Sequence, residues 1–214
     1  MKKNAIIASS VIFIVLLLDQ IVKIWVKTHM MLGEEFSVFG EWFRIHFVEN
    51  NGMAFGMELS GNIGKILLSG FRIIAVVVIG WFLVGLCKKS TDKLLITCIA
   101  LVWAGAVGNI IDSVFYGVIF DSSWGQIAQL LPENGGYSTW LHGRVVDMFY
   151  FPLIDGRFPE WMPIWGGEEF IFFRPVFNCA DAAISVGIVL LLIFRHEELS
   201  KSISAEKSRE KSLE

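Results

Sequence analysis

The sequence predicts an α-helical integral membrane protein with four transmembrane helices, on three observations. First, hydrophobic residues make up 54% of the chain and charged ones 18%, against roughly 25% charged in a soluble domain. A core of 214 residues cannot hide that much apolar surface from water, so lipid must cover part of it. Second, four segments approach the roughly 20 residues that a helix needs to cross a hydrocarbon core: about 5–25, 63–86, 94–115 and 176–194. Third, Lys and Arg fall on one side of these segments and acidic loops on the other, the asymmetry that orients membrane helices.

Span one follows Lys2 and Lys3 and runs from Ala5 past Asp19 to Trp25. No small-x-small cleavage site follows it, so it is expected to be a retained span rather than a removed leader. Lys88, Lys89 and Lys93 lie between spans two and three, and Arg195, Lys201, Lys207, Arg209 and Lys211 follow span four. The segment from Thr28 to Asn62 carries Arg44 alone beside Glu34, Glu35, Glu41, Glu49 and Glu58. Both termini are therefore expected in the cytoplasm, with the loops 28–62 and 116–175 outside. In the first loop, Arg44 and His46 alternate with Phe43, Ile45 and Phe47, the period of a strand, and Asn50-Asn51-Gly52 supplies a turn. The second loop carries Trp124, Trp140, Trp161 and Trp165 and is expected to lie on the lipid surface, where Trp concentrates. Residues 1–195 read as one membrane domain and 196–214 as a charged cytoplasmic tail. There is no internal repeat. Cys87, Cys98 and Cys179 sit in or beside apolar runs without a CxxC pair, which reads as core packing. A net charge of −3 without a basic stripe gives no sign of nucleic-acid binding.

Ionisable groups inside a membrane are costly, and each marks a possible function. Here they are Asp19, Lys23, Lys65, Arg72, Asp112 and Asp181. With the predicted orientation, Asp19 and Lys23 fall in the outer half of span one, Asn109 and Asp112 near the outer end of span three, and Asn178 and Asp181 near the outer start of span four. Three helices thus deliver carboxylates and amides to one level. Asp19 and Lys23, four apart, share a helix face and can pair; the pair either lowers the cost of burial or orients a polar strand or substrate. Lys65 reads as interfacial. Arg72 can snorkel or meet Asp19 or Asp112. His29, His46, His142 and His196 are scattered without an H-E-x-x-H arrangement, so no metal site is expected. Two aspartates brought together share one proton, and such a pair can activate water and polarise a carbonyl, with Asn amides donating to the developing oxyanion. The residues alone leave three classes open: an aspartic hydrolase, an ion-coupled transporter, and a structural role.

Five motifs narrow the choice. Asp19-x-x-x-Lys23, Asn50-Asn51-Gly52-Met53-Ala54-Phe55, Gly105-Ala106-Val107-Gly108-Asn109-Ile110-Ile111-Asp112, Gly143-Arg144-Val145-Val146-Asp147-Met148 and Phe177-Asn178-Cys179-Ala180-Asp181 resemble, in order, those of the bacterial lipoprotein signal peptidase (signal peptidase II) family. The resemblance implies a four-span bundle with an outer β-cradle and a surface helix or loop. It implies cleavage of a signal peptide before a diacylglyceryl-modified cysteine, at the outer face of the inner membrane. It assigns Asp147 and Asp181 as catalytic. Asn50, Asn109, Asn178, Asp19, Lys23, Asp112 and Arg144 are assigned supporting or substrate-orienting roles. No cofactor is implied. The partners implied are lipidated prolipoproteins, membrane lipids and globomycin-like cyclic peptide inhibitors, and the chain is expected to be a monomer.

The sequence departs from that pattern twice. Ser113 stands where the family usually has Arg after the aspartate matched by Asp112. The family's usual spacing of about nine residues from that aspartate lands on Asp121, whereas the better local motif, Val145-Val146-Asp147, follows an insertion. Asp147 is preferred because its β-branched neighbours suit a short rigid strand, while Asp121-Ser122-Ser123 suits a cap. A surface insertion costs little, because closure entropy grows with the logarithm of its length.

Overall fold

The computed structural model describes residues 2–51, 61–89, 92–195, 197, 199–200 and 203, apart from the side chains of 61–63, 65, 66, 155 and 171. The motif residues Gly52–Phe55, and the expectations for Glu58, Lys65, His196 and most of the tail, lie outside what is described.

The chain runs α1 (Lys2–His29), β1 (Glu35–Phe39), β2 (Phe43–Asn50), α2 (Gly61–Lys89), α3 (Lys93–Ile111), a π-helical turn (Asp112–Tyr116) and a short α4 (Gly117–Ile119). It continues through β3 (Val145–Tyr150), β4 (Ile154–Arg157), β5 (Glu169–Phe172), β6 (Val176–Phe177) and α5 (Cys179–Phe194). Three helical stretches, Lys2–His29, Leu67–Lys89 and Lys93–Ile119, are long and apolar enough to cross a membrane, and α5 is a shorter apolar helix of 16 residues. Their outward faces are apolar: Phe13, Leu67, Phe71, Trp81 and Leu192 are each more than half exposed, a surface that water does not tolerate at this extent. The chain is an integral membrane helical protein.

Two expected boundaries are corrected. The fourth apolar segment does not begin as helix at Val176, because Val176 and Phe177 pair with Tyr150 and Phe149 as β6. The helix begins only after Asn178, whose side chain caps it by accepting from the Asp181 N–H at 2.9 Å. The third segment does not stop at 115 but continues through the π-helical turn to Ile119. Such turns are favoured at functional positions, and this one buries Asp112, Ser113 and Tyr116.

Strands β1-β2-β3-β6 form one antiparallel sheet, and β4-β5 a separate hairpin. The alternation expected around 42–48 is realised in β2, which turns Ile45 and Phe47 inward. Among the described residues, the segment 117–175 holds no helix beyond α4; it is loop and strand, with Trp124, Trp140, Trp161 and Trp165 exposed.

Packing divides the bundle into layers. One apolar cluster gathers Ala8, Leu83, Leu86, Leu95, Ile96, Ile99 and Leu191, together with the unpaired Cys87 and Cys98. A second gathers Val26, Met30, Ile45, Phe47, Tyr116, Phe120, Val146 and Met148. Between them, α1, α3 and α5 contribute polar side chains. The helices approach closely there. A Cβ on Gly105 would meet the Ala180 carbonyl, and one on Gly108 would lie 2.8 Å from Asp19 Oδ2, so only glycine admits α5 and the Asp19 carboxylate at these two places.

Candidate active site

The polar layer is built around Lys23, fully buried on α1. Its ammonium lies 2.9 Å from Asp19 Oδ2 and 2.9 Å from Asp112 Oδ2, and donates to Asn109 Oδ1 at 2.9 Å. Three donors thus find three acceptors, which is what a buried ammonium needs. The Asp19–Lys23 pair expected from their spacing forms and is fully buried. Each flanking carboxylate also grips backbone beside a predicted catalytic residue. Asp19 Oδ1 accepts from the Ala180 N–H at 2.9 Å, one residue before Asp181. Asp112 Oδ2 accepts from the Val146 N–H at 3.2 Å, one residue before Asp147. Gln20, not singled out in the sequence, ties the two carboxylates together by donating to Asp112 Oδ1 at 3.0 Å and Asp19 Oδ2 at 3.1 Å, and accepts from the Tyr116 hydroxyl.

Asp147 and Asp181 face this layer from the sheet and from the first turn of α5. Asn178 donates to Asp147 Oδ1 at 2.7 Å and approaches Asn109 Oδ1 at 3.1 Å. Asn109 in turn donates to Asp181 Oδ1 at 2.8 Å. The two carboxylates are therefore joined by a pair of amides, with Asn50 donating to Asp147 Oδ2 from β2 at 3.3 Å. Asp147 is nearly completely buried. Burial, and then the charge of Asp181, push its carboxyl up to about 7, against the opposing pull of the Asn50 and Asn178 amides and of Lys23. A carboxyl of that kind can hold a proton at neutral pH and give it up, as general acid–base work requires.

The competing Asp121 is otherwise engaged. Its carboxylate accepts from the Gln129 N–H at 2.6 Å and from the Gln126 amide at 3.2 Å, organising the inserted loop. The side-chain contacts of Arg144 are with neither Asp147 nor Asp181. It pairs with Glu49 Oε2 at 3.0 Å, stacks over Tyr137, and lines with Asp121 a polar cavity of about 740 Å³. Ser113, where a cation was expected from the resemblance, is buried and donates to the Asn109 carbonyl at 2.9 Å. Arg72, for which the sequence offered snorkelling or a meeting with Asp19 or Asp112, is half-buried in the field of the Asp181, Asp147 and Asp112 carboxylates.

A second buried charge cluster escaped the sequence reading. Lys27 pairs with Glu49 and donates to Ser123 Oγ at 2.8 Å, while Ser123 donates to Glu49 Oε1 at 2.8 Å. Burial would raise the Glu49 carboxyl, but the Lys27 ammonium, with Arg144 and Ser123, holds it below the usual carboxylate range. One signal was available: Lys27 continues the four-residue spacing of Asp19 and Lys23 along one helix face.

Residues 11–196 match the family described as Signal peptidase (SPase) II. The chain is 54% identical over 203 residues to a lipoprotein signal peptidase of Porphyromonas gingivalis, covering 94% of this chain and 88% of that protein. It is 33% identical over 196 residues to one of Amoebophilus asiaticus, covering 90% and 79%. A solved bacterial membrane enzyme, determined by the in meso method at 2.3 Å resolution, superposes with a TM-score of 0.56 at 25% identity, covering 94% of this chain and 92% of that one.

Proposed function

The chain belongs to the signal peptidase II family, a bacterial membrane protease that removes signal peptides from lipoproteins, and we propose that it is an aspartic endopeptidase acting on diacylglyceryl-modified prolipoproteins. It cuts the peptide bond just before the lipidated cysteine, with Asp147 and Asp181 as the catalytic pair. The single observation that carries this reading is the pair itself, joined through Asn178 and Asn109. Asp147, able to hold a proton near neutral pH, polarises the scissile carbonyl. Asp181, in the first turn of α5 at the positive end of its helix dipole, takes a proton from water. The water oxygen adds to the carbonyl, and the tetrahedral intermediate collapses as a proton passes to the leaving cysteine amine.

The site's depth suits this substrate. We read four spans, with α5 completing the set, both termini cytoplasmic and the polar layer just beneath the outer surface of the inner membrane. The sheet β1-β2-β3-β6 serves as the outer cradle. Residues 1–195 act as one domain and as a monomer. Globomycin-like cyclic peptides are expected to occupy the site.

Incubating the purified protein with a lipidated prolipoprotein should release a product whose mass begins at the lipidated cysteine, and globomycin should suppress it. An unchanged substrate mass, or a cut elsewhere, would overturn the reading.

A further inference from the structure

Arg72 is an ionisable group of the spans that lies outside both the Asp19–Lys23–Asp112 cluster and the proposed catalytic pair. Arg72 lies well inside α2 and is half-buried. Its direction follows from its neighbours. Ser69 donates to the Leu141 carbonyl at 3.4 Å, and the Val76 carbonyl accepts from the Trp103 indole at 2.9 Å. Ser69, Arg72 and Val76 repeat at three- and four-residue intervals and so share one face of α2, which meets α3 at Trp103 and the inserted loop at Leu141. α2 and α3 are antiparallel neighbours, their lower ends meeting where Leu83, Leu86, Leu95 and Ile96 cluster. Stepping four residues, about 6 Å, outward from the Val76–Trp103 contact on each helix brings Arg72 to the level of Val107–Asn109. That is the polar layer.

Charge balance gives this position a consequence. Among the described residues, the layer holds four carboxylates, Asp19, Asp112, Asp147 and Asp181, and two cations, Lys23 and Arg72. Lys23 is committed to Asp19 and Asp112. With one proton on the Asp147–Asp181 pair, three negative charges face two positive ones. Without Arg72 they face one, in surroundings where charge is poorly screened.

Resting on the aspartic reading above, we propose that Arg72 is a positioning residue for the catalytic pair: its guanidinium, presented by α2 to the polar layer, holds the Asp147–Asp181 pair in the singly ionised state that activates water. Among the described residues, the groups facing that pair are then Asn50 from β2, Lys23 from α1, Asn109 from α3, Asp112 from the π-helical turn, Asn178 at the start of α5, and Arg72 from α2.

The test is the pH profile of kcat/KM on a lipidated prolipoprotein for wild type, Arg72→Met, Arg72→Gln and Arg72→Lys, each checked for folding by thermal unfolding. A neighbouring cation favours the ionised form of a carboxyl pair by about 1 unit or more. The acid limb of both neutral variants should therefore move up by about that much, with kcat reduced and KM little changed. Arg72→Lys, which keeps the charge, should restore the limb. Folded neutral variants with the wild-type limb would overturn the proposal, as would a limb displaced equally in Arg72→Lys. Failure of both neutral variants to fold would make Arg72 a structural counter-charge and overturn it too. Asp147→Asn and Asp181→Asn run alongside separate the two claims. If they retain activity, the aspartic reading has failed; if they are inactive while the Arg72 variants keep the wild-type limb, only the role of Arg72 has.

Discussion

At the scale of single residues, Asp147 carries an opposition between stability and activity. Its folded-state value near 7 lies above the ordinary 3.8, so the folded protein binds the proton more tightly than the unfolded chain. The stability this group contributes is fully present below about 4 and is lost as pH rises toward about 7. At roughly 1.4 kcal/mol per unit, the loss is at most about 4 kcal/mol. Asp147→Asn removes the charge and keeps the shape. It should raise the midpoint of thermal unfolding relative to wild type at pH 8, and the difference should shrink towards pH 4. A variant equally or less stable at pH 8 would show that the site does not strain this carboxylate. The sequence identified Asp147 through its motif. Spacing from Asp112 pointed instead to Asp121, because the insertion places the Asp147 motif far beyond the family's usual distance. Their partners differ: Asp121 accepts from Gln126 and Gln129 of its own loop, and Asp147 from Asn50 and Asn178.

At the scale of elements, α1 is held to the sheet by charges rather than by apolar contact alone. Lys27 and Glu49 are buried at 0% and 2% side-chain exposure, and Glu49 sits on β2 directly opposite Val146. Removing one partner of such a pair strands the other in a low dielectric, at a cost of about 3–5 kcal/mol, whereas replacing both by apolar groups is often close to neutral. Lys27→Met alone should therefore lower stability by several kcal/mol, and Lys27→Met with Glu49→Met should recover most of the loss. Additive losses in a denaturant double-mutant cycle would mean that the pair does not act as a unit. This cluster was hard to read beforehand because Glu49 belongs to an acidic stretch that looks solvated, and pairing with β3 is what buries it. The start of α5 was misread for a related reason. Val176 and Phe177 are apolar enough to extend a span, but the edge of β3 recruits them as a strand.

At the scale of the whole molecule, the apolar spans were legible because lipid imposes length and composition on them directly. The convergence of Asp19, Lys23, Asn109, Asp112, Asn178 and Asp181 followed from their positions along helices of alternating direction. Their bonding did not follow, since it depends on glycines that let α3 approach α5 and on a sheet that delivers Asp147 from far along the chain. The central claim is that the layer so formed works through one pair of carboxylates, and cleavage rates of the lipidated substrate test it most directly. Wild type, Asp147→Asn, Asp181→Asn, the double variant and Asp121→Asn would be compared in single-turnover assays. Residues acting as a unit are non-additive, so each single variant should be inactive while still folded, the double variant no worse than either, and Asp121→Asn close to wild type. An active Asp147→Asn beside an inactive Asp121→Asn would contradict the account and move the chemistry into the inserted loop.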